Sequence, residues 1–406
     1  METFQLTGSD EQPHYWFLIL TSLSLVTLLF RSFFPDVIPF LLVGSVIFFG
    51  SLNFQYIKRY NLVLWFLVLF FSFFVGAINT LFISLESFVY FSFIYASPLI
   101  FWYVTYSLGA GKFIENLFFY IGLIMVLGSI SQYHFIDPSL IGGYTLYQDG
   151  YDPELSPITL RSTSFIGSPQ MLGFFCSVYL FFLVSRDYKI PFVPLLPLTI
   201  YGGLLSGSSA FVIALGVLFF ALPIINWKKY KIFYIYLLPI LILSTLYILF
   251  DFLNSGEDTA VISALSIGIE SHIPYYLDML KKIELSLFGQ GFGAANRISE
   301  VAGINQDYGY YFISMVESAG LSIFHEQGIL GILFFLTLII GSVYLAYNYQ
   351  EKNKFYSHLC LTIYLFLNTM ATPVVTSYTG LIITYFILLN PLIDYYANKG
   401  NLEYEH

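Results

Sequence analysis

The sequence predicts an all-α, polytopic transmembrane protein of about twelve spans. Three observations predict it: a composition too apolar for water, about a dozen unbroken apolar runs, and an uneven sorting of Lys and Arg among the links between runs. Hydrophobic residues make up 57% of the 406, aromatic residues 20% and charged residues only 10%, where a soluble domain carries about 25% charged. A helical bilayer crossing takes roughly 20 apolar residues. The runs are continuous and lack the two-residue period of a transmembrane strand, which rules for helices over a β-barrel.

In order, the spans are expected at roughly 15–33, 36–54, 61–83, 87–106, 114–132, 169–185, 190–206, 208–226, 232–253, 326–349, 355–373 and 378–396, forming a single integral membrane domain. No Lys or Arg precedes the first run, so it lacks the charged start of a cleavable signal and is expected to be retained. Cys176 and Cys360 fall inside spans, with no sign of a disulfide or metal knuckle. With the N-terminus in the cytoplasm, eleven of the sixteen Lys and Arg residues fall on the inner side. Only Arg31, Arg161, Lys281, Lys282 and Arg297 fall outside, which is the sense of the positive-inside rule. An even number of spans with both termini cytoplasmic preserves that alternation. No basic patch with interleaved aromatics is present, so no nucleic-acid partner is expected. Membrane lipids are the expected surroundings.

Two outer loops are long, at about 133–168 and about 254–325. The first ends in Ser168-Pro169, an N-cap and first-turn pair that opens the sixth span. In the second, apolar residues at helical spacing from Val261 to Leu280 predict a surface helix over Thr259–Lys282, kinked at Pro274. Next come Gly289, Gly291 and Gly293, alternating within Leu287–Gly293, which predict a tight turn where backbone approaches something closely. With no preceding strand and no Lys-Ser/Thr, this is not a nucleotide phosphate loop.

Chemistry is expected in the second loop, where ionisable groups gather just before an apolar helix. Glu317 sits in a small, apolar context that would partly desolvate its carboxylate, the condition suited to a general base; a solvated carboxylate at a loop bend is the plainer reading. His325 lies eight positions on, a little over two helical turns, and either shares a face with Glu317 or caps a helix beside Glu326. Arg161 and Arg297 occupy different outer loops; an Arg fork suits phosphate oxygens, while neutralising nearby acids or lipid headgroups is its ordinary use. Tyr310, with Tyr308 and Tyr311, is placed to stack on sugar rings or to serve as an interfacial aromatic. His134 and His272 have no partners at metal-ligand spacing and no Asp-x-Asp cluster occurs, so neither a metal nor another cofactor is expected.

Several stretches together resemble the superfamily of O-antigen polymerases and O-antigen ligases. They are Arg161 to Gly173, with Phe165, Gly167 and Pro169; Leu204-Leu205-Ser206-Gly207-Ser208-Ser209-Ala210; Phe288 to Gly293; and Glu317-Ser318 ending at Gly328-Ile329-Leu330-Gly331. Ligases place a His where Glu317 stands, so the chain is more similar to the polymerases. It departs from their pattern in having eleven residues, not ten, between each outer Arg and its following Gly (Arg161 to Gly173, Arg297 to Gly309), and Ser209 where a basic residue is usual.

The resemblance implies a GT-C-like bundle in a bacterial inner membrane, with its active site facing the periplasm. It implies an inverting, metal-independent glycosyltransferase that polymerises undecaprenyl-diphosphate-linked oligosaccharide repeat units. Glu317 and His325 would be catalytic. Arg161, Arg297, Gly291, Ser318 and Tyr310 would bind substrate, and a chain-length regulator protein is a possible partner. An O-antigen ligase or peptidoglycan-type polymerase is the nearer alternative, and a lipid-linked oligosaccharide flippase the more distant one.

Overall fold

The computed structural model describes residues 15–35, 37–52, 80–81, 83–135, 147–148, 160–185, 192–221, 281, 286–292, 294–295, 318–372, 374 and 377–395. Ten helices account for most of them: α1 (Tyr15–Leu29), α2 (Val37–Leu52), α3 (Leu85–Ser107), α4 (Gly111–His134), α5 (Pro169–Ser185), α6 (Phe192–Leu204), α7 (Ser209–Ala221), α8 (Ala319–Tyr349), α9 (Lys352–Ala371) and α10 (Tyr378–Leu389). Short 3-10 turns at Arg31–Phe33 and Ser164–Ile166, and a two-residue antiparallel pairing of Tyr147 with Arg161 and Gln148 with Leu160, complete the set.

The chain is a helical membrane protein. Leu85–Ser107, Gly111–His134, Ala319–Tyr349 and Tyr378–Tyr395 are each long and apolar enough to cross a bilayer, and five further helices are apolar but shorter. Exposed apolar side chains recur at helical spacing, as at Tyr120, Ile124 and Leu127 on α4 and Leu333, Ile340, Tyr344 and Tyr347 on α8, which is how a lipid-facing stripe reads. Helices α5 and α10 are instead buried almost all round, and so form the centre of the bundle. The spans expected at 61–83 and 232–253, and the surface helix Thr259–Lys282, fall outside the described residues apart from isolated positions.

Cross-helix contacts fix which ends lie together. Helix α9 runs antiparallel to α5, since Ser357 near its start bonds the Phe181 carbonyl at 3.3 Å while Tyr364, further on, meets Phe174. Helix α3 runs parallel to α10: Ser97 bonds Tyr378, and the Trp102 indole N–H bonds the Ile382 carbonyl at 2.6 Å. Such polar bonds between helices supply specificity that burial in lipid does not. Helices α3 and α10 thus run in the same sense as each other, and the starts of α5 and α8 share one end with the finish of α9, where the Ala319 N–H bonds the Thr372 carbonyl at 3.0 Å. Arg31 and Arg161 stand at this end, because Phe30 stacks on Phe165 and Phe33 meets the same ring at a tilt. Lys112, Lys352 and Lys354 stand at the other, where α4 and α9 begin.

The expectation for α8 needs correction. Its helix begins at Ala319, not at about 326, because Ser318 caps it: the hydroxyl accepts the Leu321 N–H at 3.3 Å. The second outer loop is accordingly shorter at its end than expected. His325, the last residue of the expected loop, and Glu326 and Gln327, the first two of the expected span, are all buried inside the helix.

Candidate functional site

Two polar assemblies occupy the end that carries Arg161. The first is organised by Gln132, in the last turn of α4. Its Oε1 accepts from the Ser162 hydroxyl at 2.7 Å and from the Thr163 and Ser164 backbone N–H groups at 2.9 and 2.8 Å, while Nε2 donates to Thr163 Oγ1 at 3.1 Å. Ser129, one turn earlier, donates to the Gly202 carbonyl at 2.9 Å. This network is buried, and it fixes the segment that delivers Arg161.

Arg161 then reaches the turn between α6 and α7. Its Nε–H donates to the Ser206 carbonyl and its Nη2 to the Gly207 carbonyl, both at 2.9 Å, and the Ser162 N–H reaches the Leu205 carbonyl at 2.8 Å. Gly207 turns with φ 57°, and a Cβ there would sit 3.1 Å from Arg161 Nε. Glycine is what lets the guanidinium lie against the turn. The result is a half-exposed cation held in one orientation.

The second assembly forms around a break in α8. Gly328 has φ 67° and ψ −160°, so the helical hydrogen-bond ladder is interrupted there. Residues 286–292 complete it from outside. Gln290 and Gly291 donate their N–H groups to the His325 and Glu326 carbonyls at 2.8 and 2.9 Å, and the Ile329 and Leu330 N–H groups donate to the Ser286 and Leu287 carbonyls at 3.1 and 3.3 Å. The close approach foreseen for the glycine turn is thus made to the chain's own backbone: a Cβ on Gly289 would collide with Glu326 and Gln327, and one on Gly328 with Gly289.

Glu326 is fully buried at this junction. Its Oε2 accepts from the Tyr95 hydroxyl of α3 at 2.5 Å, and its Oε1 from the Ala295 N–H at 3.2 Å. Phe292 stacks on the Tyr95 ring at 4.6 Å and donates its N–H to Thr80 Oγ1 at 2.7 Å. Tyr95 lies ten residues into α3 and Gly328 nine residues into α8. At 1.5 Å per residue the junction therefore lies roughly 14–15 Å along both helices from their starts. Irregular backbone within an apolar bundle survives only where protein buries it and satisfies its polar groups.

Of the expected site residues, Arg161 belongs to the first assembly and Gly291 and His325 to the second; α9 packs against both α5 and α8, which flank it. Gly291, at φ 101°, and His325 contribute backbone to the junction. Ser318 is spent on capping α8 and on a 3.4 Å bond to the Thr369 carbonyl. Glu317, Arg297 and Tyr310 lie outside the described residues. Because α8 starts at Ala319, the two-turn spacing imagined between Glu317 and His325 is not set by one helix. Sequence reasoning passed over Gln132, Tyr95 and Glu326. The signal for Glu326 was an ionisable residue at the edge of a long apolar run, which in a membrane protein demands a partner.

At the opposite end Glu115, Gln350, Lys354, Asn390 and Asp394 line a small cleft, where Gln350 and Lys354 donate to Asp394 at 3.0 and 3.4 Å and Asn390 donates to Glu115 at 3.4 Å. Among the described residues no three His, Cys, Asp or Glu side chains converge as metal ligands. Compared with protein-family models, with curated proteins and with solved structures, the chain finds no match in any of the three.

Proposed function

We propose that the chain is a membrane glycosyltransferase of the O-antigen polymerase kind, joining undecaprenyl-diphosphate-linked oligosaccharide repeat units at the periplasmic face of a bacterial inner membrane. Twelve spans with both termini cytoplasmic and a GT-C-like arrangement belong to the same reading. Its main support is Arg161, a cation oriented by two carbonyls at the end of an apolar bundle. A guanidinium carries five N–H donors in a rigid planar fork, a geometry that suits phosphate oxygens.

In this mechanism an acceptor hydroxyl attacks the anomeric carbon of the growing chain. The new glycosidic bond forms as the sugar–phosphate bond breaks, the lipid diphosphate leaves with the electron pair, and Glu317 takes the hydroxyl proton. Configuration inverts, and cleavage of the glycosyl phosphate supplies the driving force. Arg161 and Arg297 stabilise the departing charge. The test is release of lipid diphosphate from lipid-linked repeats by the purified, membrane-reconstituted protein. A wild-type chain that releases none, or a Glu317→Gln variant that releases as much, ends the proposal; transfer only to a lipid A–core acceptor would make it a ligase.

One observation favours a second reading, transport of a lipid-linked oligosaccharide. A helix broken beside a buried carboxylate, as α8 is at Gly328 and Glu326, is a construction transporters use. Movement of the lipid-linked oligosaccharide across vesicles without diphosphate release is the outcome that would establish it.

A further inference from the structure

We infer that Glu326 is a positioning residue: its carboxylate seats residues 286–292 and 294–295 in the break of α8, and with them the chain that leads in sequence to Arg297. The inference rests on the glycosyltransferase reading only for its consequence in catalysis; the seating itself is read from contacts.

Four backbone hydrogen bonds join residues 286–291 to 325–330, but they hold only the first half of the segment. Beyond Gly291 the chain is tied by side chains. Ala295 donates its N–H to Glu326 Oε1 at 3.2 Å, and its carbonyl accepts from the Ser322 hydroxyl at 3.4 Å. Phe292 lies on Tyr95, whose hydroxyl grips the other carboxylate oxygen. One carboxylate thus joins α3, α8 and the segment. Arg297 comes two residues after Ala295 in sequence, so the Glu326–Ala295 bond restrains the chain close to it. A carboxylate can accept on both oxygens, and no apolar side chain of that size does so.

The experiment is hydrogen exchange on the full chain in lipid nanodiscs, following peptides that cover 286–295 with peptides of α4 and α5 as controls, together with kinetics on a lipid-linked donor. Glu326→Ala is expected to speed exchange in 286–295 by about tenfold or more while α4 and α5 stay unchanged, and to raise the apparent KM for the donor more than it lowers kcat. Glu326→Gln keeps one accepting oxygen, and should return exchange to within about threefold of the parent. Unaltered protection in Glu326→Ala, or exchange accelerated equally in α4 and α5, overturns the inference. If the parent chain releases no lipid diphosphate, the polymerase reading fails while the exchange result still decides the seating.

Discussion

The Tyr95 hydroxyl donates a 2.5 Å hydrogen bond to Glu326 Oε2 across 231 positions of sequence. It is the side-chain link between α3 and the broken part of α8, and both partners are buried. Tyr95→Phe removes the donor and keeps the ring that Phe292 stacks on. Such a bond is worth about 0.5–1.5 kcal/mol net, and its loss leaves a buried oxygen short of one donor. Thermal unfolding in detergent should show a lowered midpoint for Tyr95→Phe with helix content unchanged. A midpoint equal to the parent's would mean that the hydroxyl contributes nothing to holding the carboxylate.

Gly289 and Gly328 face each other backbone to backbone. Both have positive φ, 70° and 67°, and a Cβ on either would enter the other segment's backbone. Strain and collision act together in each alanine variant, so each should cost more than the roughly 1 kcal/mol of an ordinary left-handed Gly-to-Ala change. Because each Cβ would act on the same interface, the double variant should cost less than the two singles combined. Strict additivity in unfolding measurements would show that the two segments do not meet.

How much of this was legible in the sequence differs by feature. Apolar runs predict helices well, since only a helix satisfies its own backbone in lipid. The sixth span was placed at 169–185, and the structure has Pro169–Ser185, with the Met171 N–H on the Ser168 hydroxyl at 3.5 Å. The glycine turn at 289–291 was legible as a turn, because no other residue takes those φ values freely. What it docks against was not, since the break in α8 depends on a pairing between residues about forty positions apart. The expected span begins at Glu326, seven residues inside α8, for a related reason: hydropathy counts a polar side chain as exposed unless its distant partner is known, and for Glu326 one such partner is Tyr95. Gln132 was missed on the same ground. It looks like the frayed end of a span until the Ser162–Ser164 segment is seen to fold onto it.

Gln132 gives a further test. Its single Oε1 takes three donors, and while the Ser162 hydroxyl also reaches the Ser129 carbonyl at 3.2 Å, Gln132→Leu removes the acceptor of two buried backbone N–H groups. At about 1–3 kcal/mol for each unsatisfied group, the local segment should come free even if the bundle holds. Gln132→Glu keeps acceptor oxygens for the same three donors and should be milder. A cysteine substituted for Ser162, which is fully buried, reports the difference: it should react with a water-soluble maleimide in the Gln132→Leu background and stay protected with Gln132→Glu. Equal protection in both would show that Gln132 is not what seats the segment.

Arg161 separates the requirement for charge from the requirement for shape. Its fork spans two successive carbonyls, Ser206 and Gly207, at 2.9 Å each; a lysine ammonium is a compact point charge that cannot reproduce the planar pair. Arg161→Lys should therefore keep the positive charge at this end of the bundle while loosening the turn between α6 and α7. Arg161→Ala loses both. If the cation binds the diphosphate of a lipid-linked donor, polymer synthesis falls in two steps. Arg161→Lys loses about tenfold, the equivalent of roughly 1.4 kcal/mol of transition-state stabilisation, and Arg161→Ala loses far more, with the ladder of chain lengths collapsing to single repeats. Polymer synthesis by inserted Arg161→Ala at the parent's level would leave this residue as a brace for the turn and nothing more. Equal, severe loss in both variants would instead make the fork geometry decisive, since the charge alone, at the same end of the same helices, would then have no value.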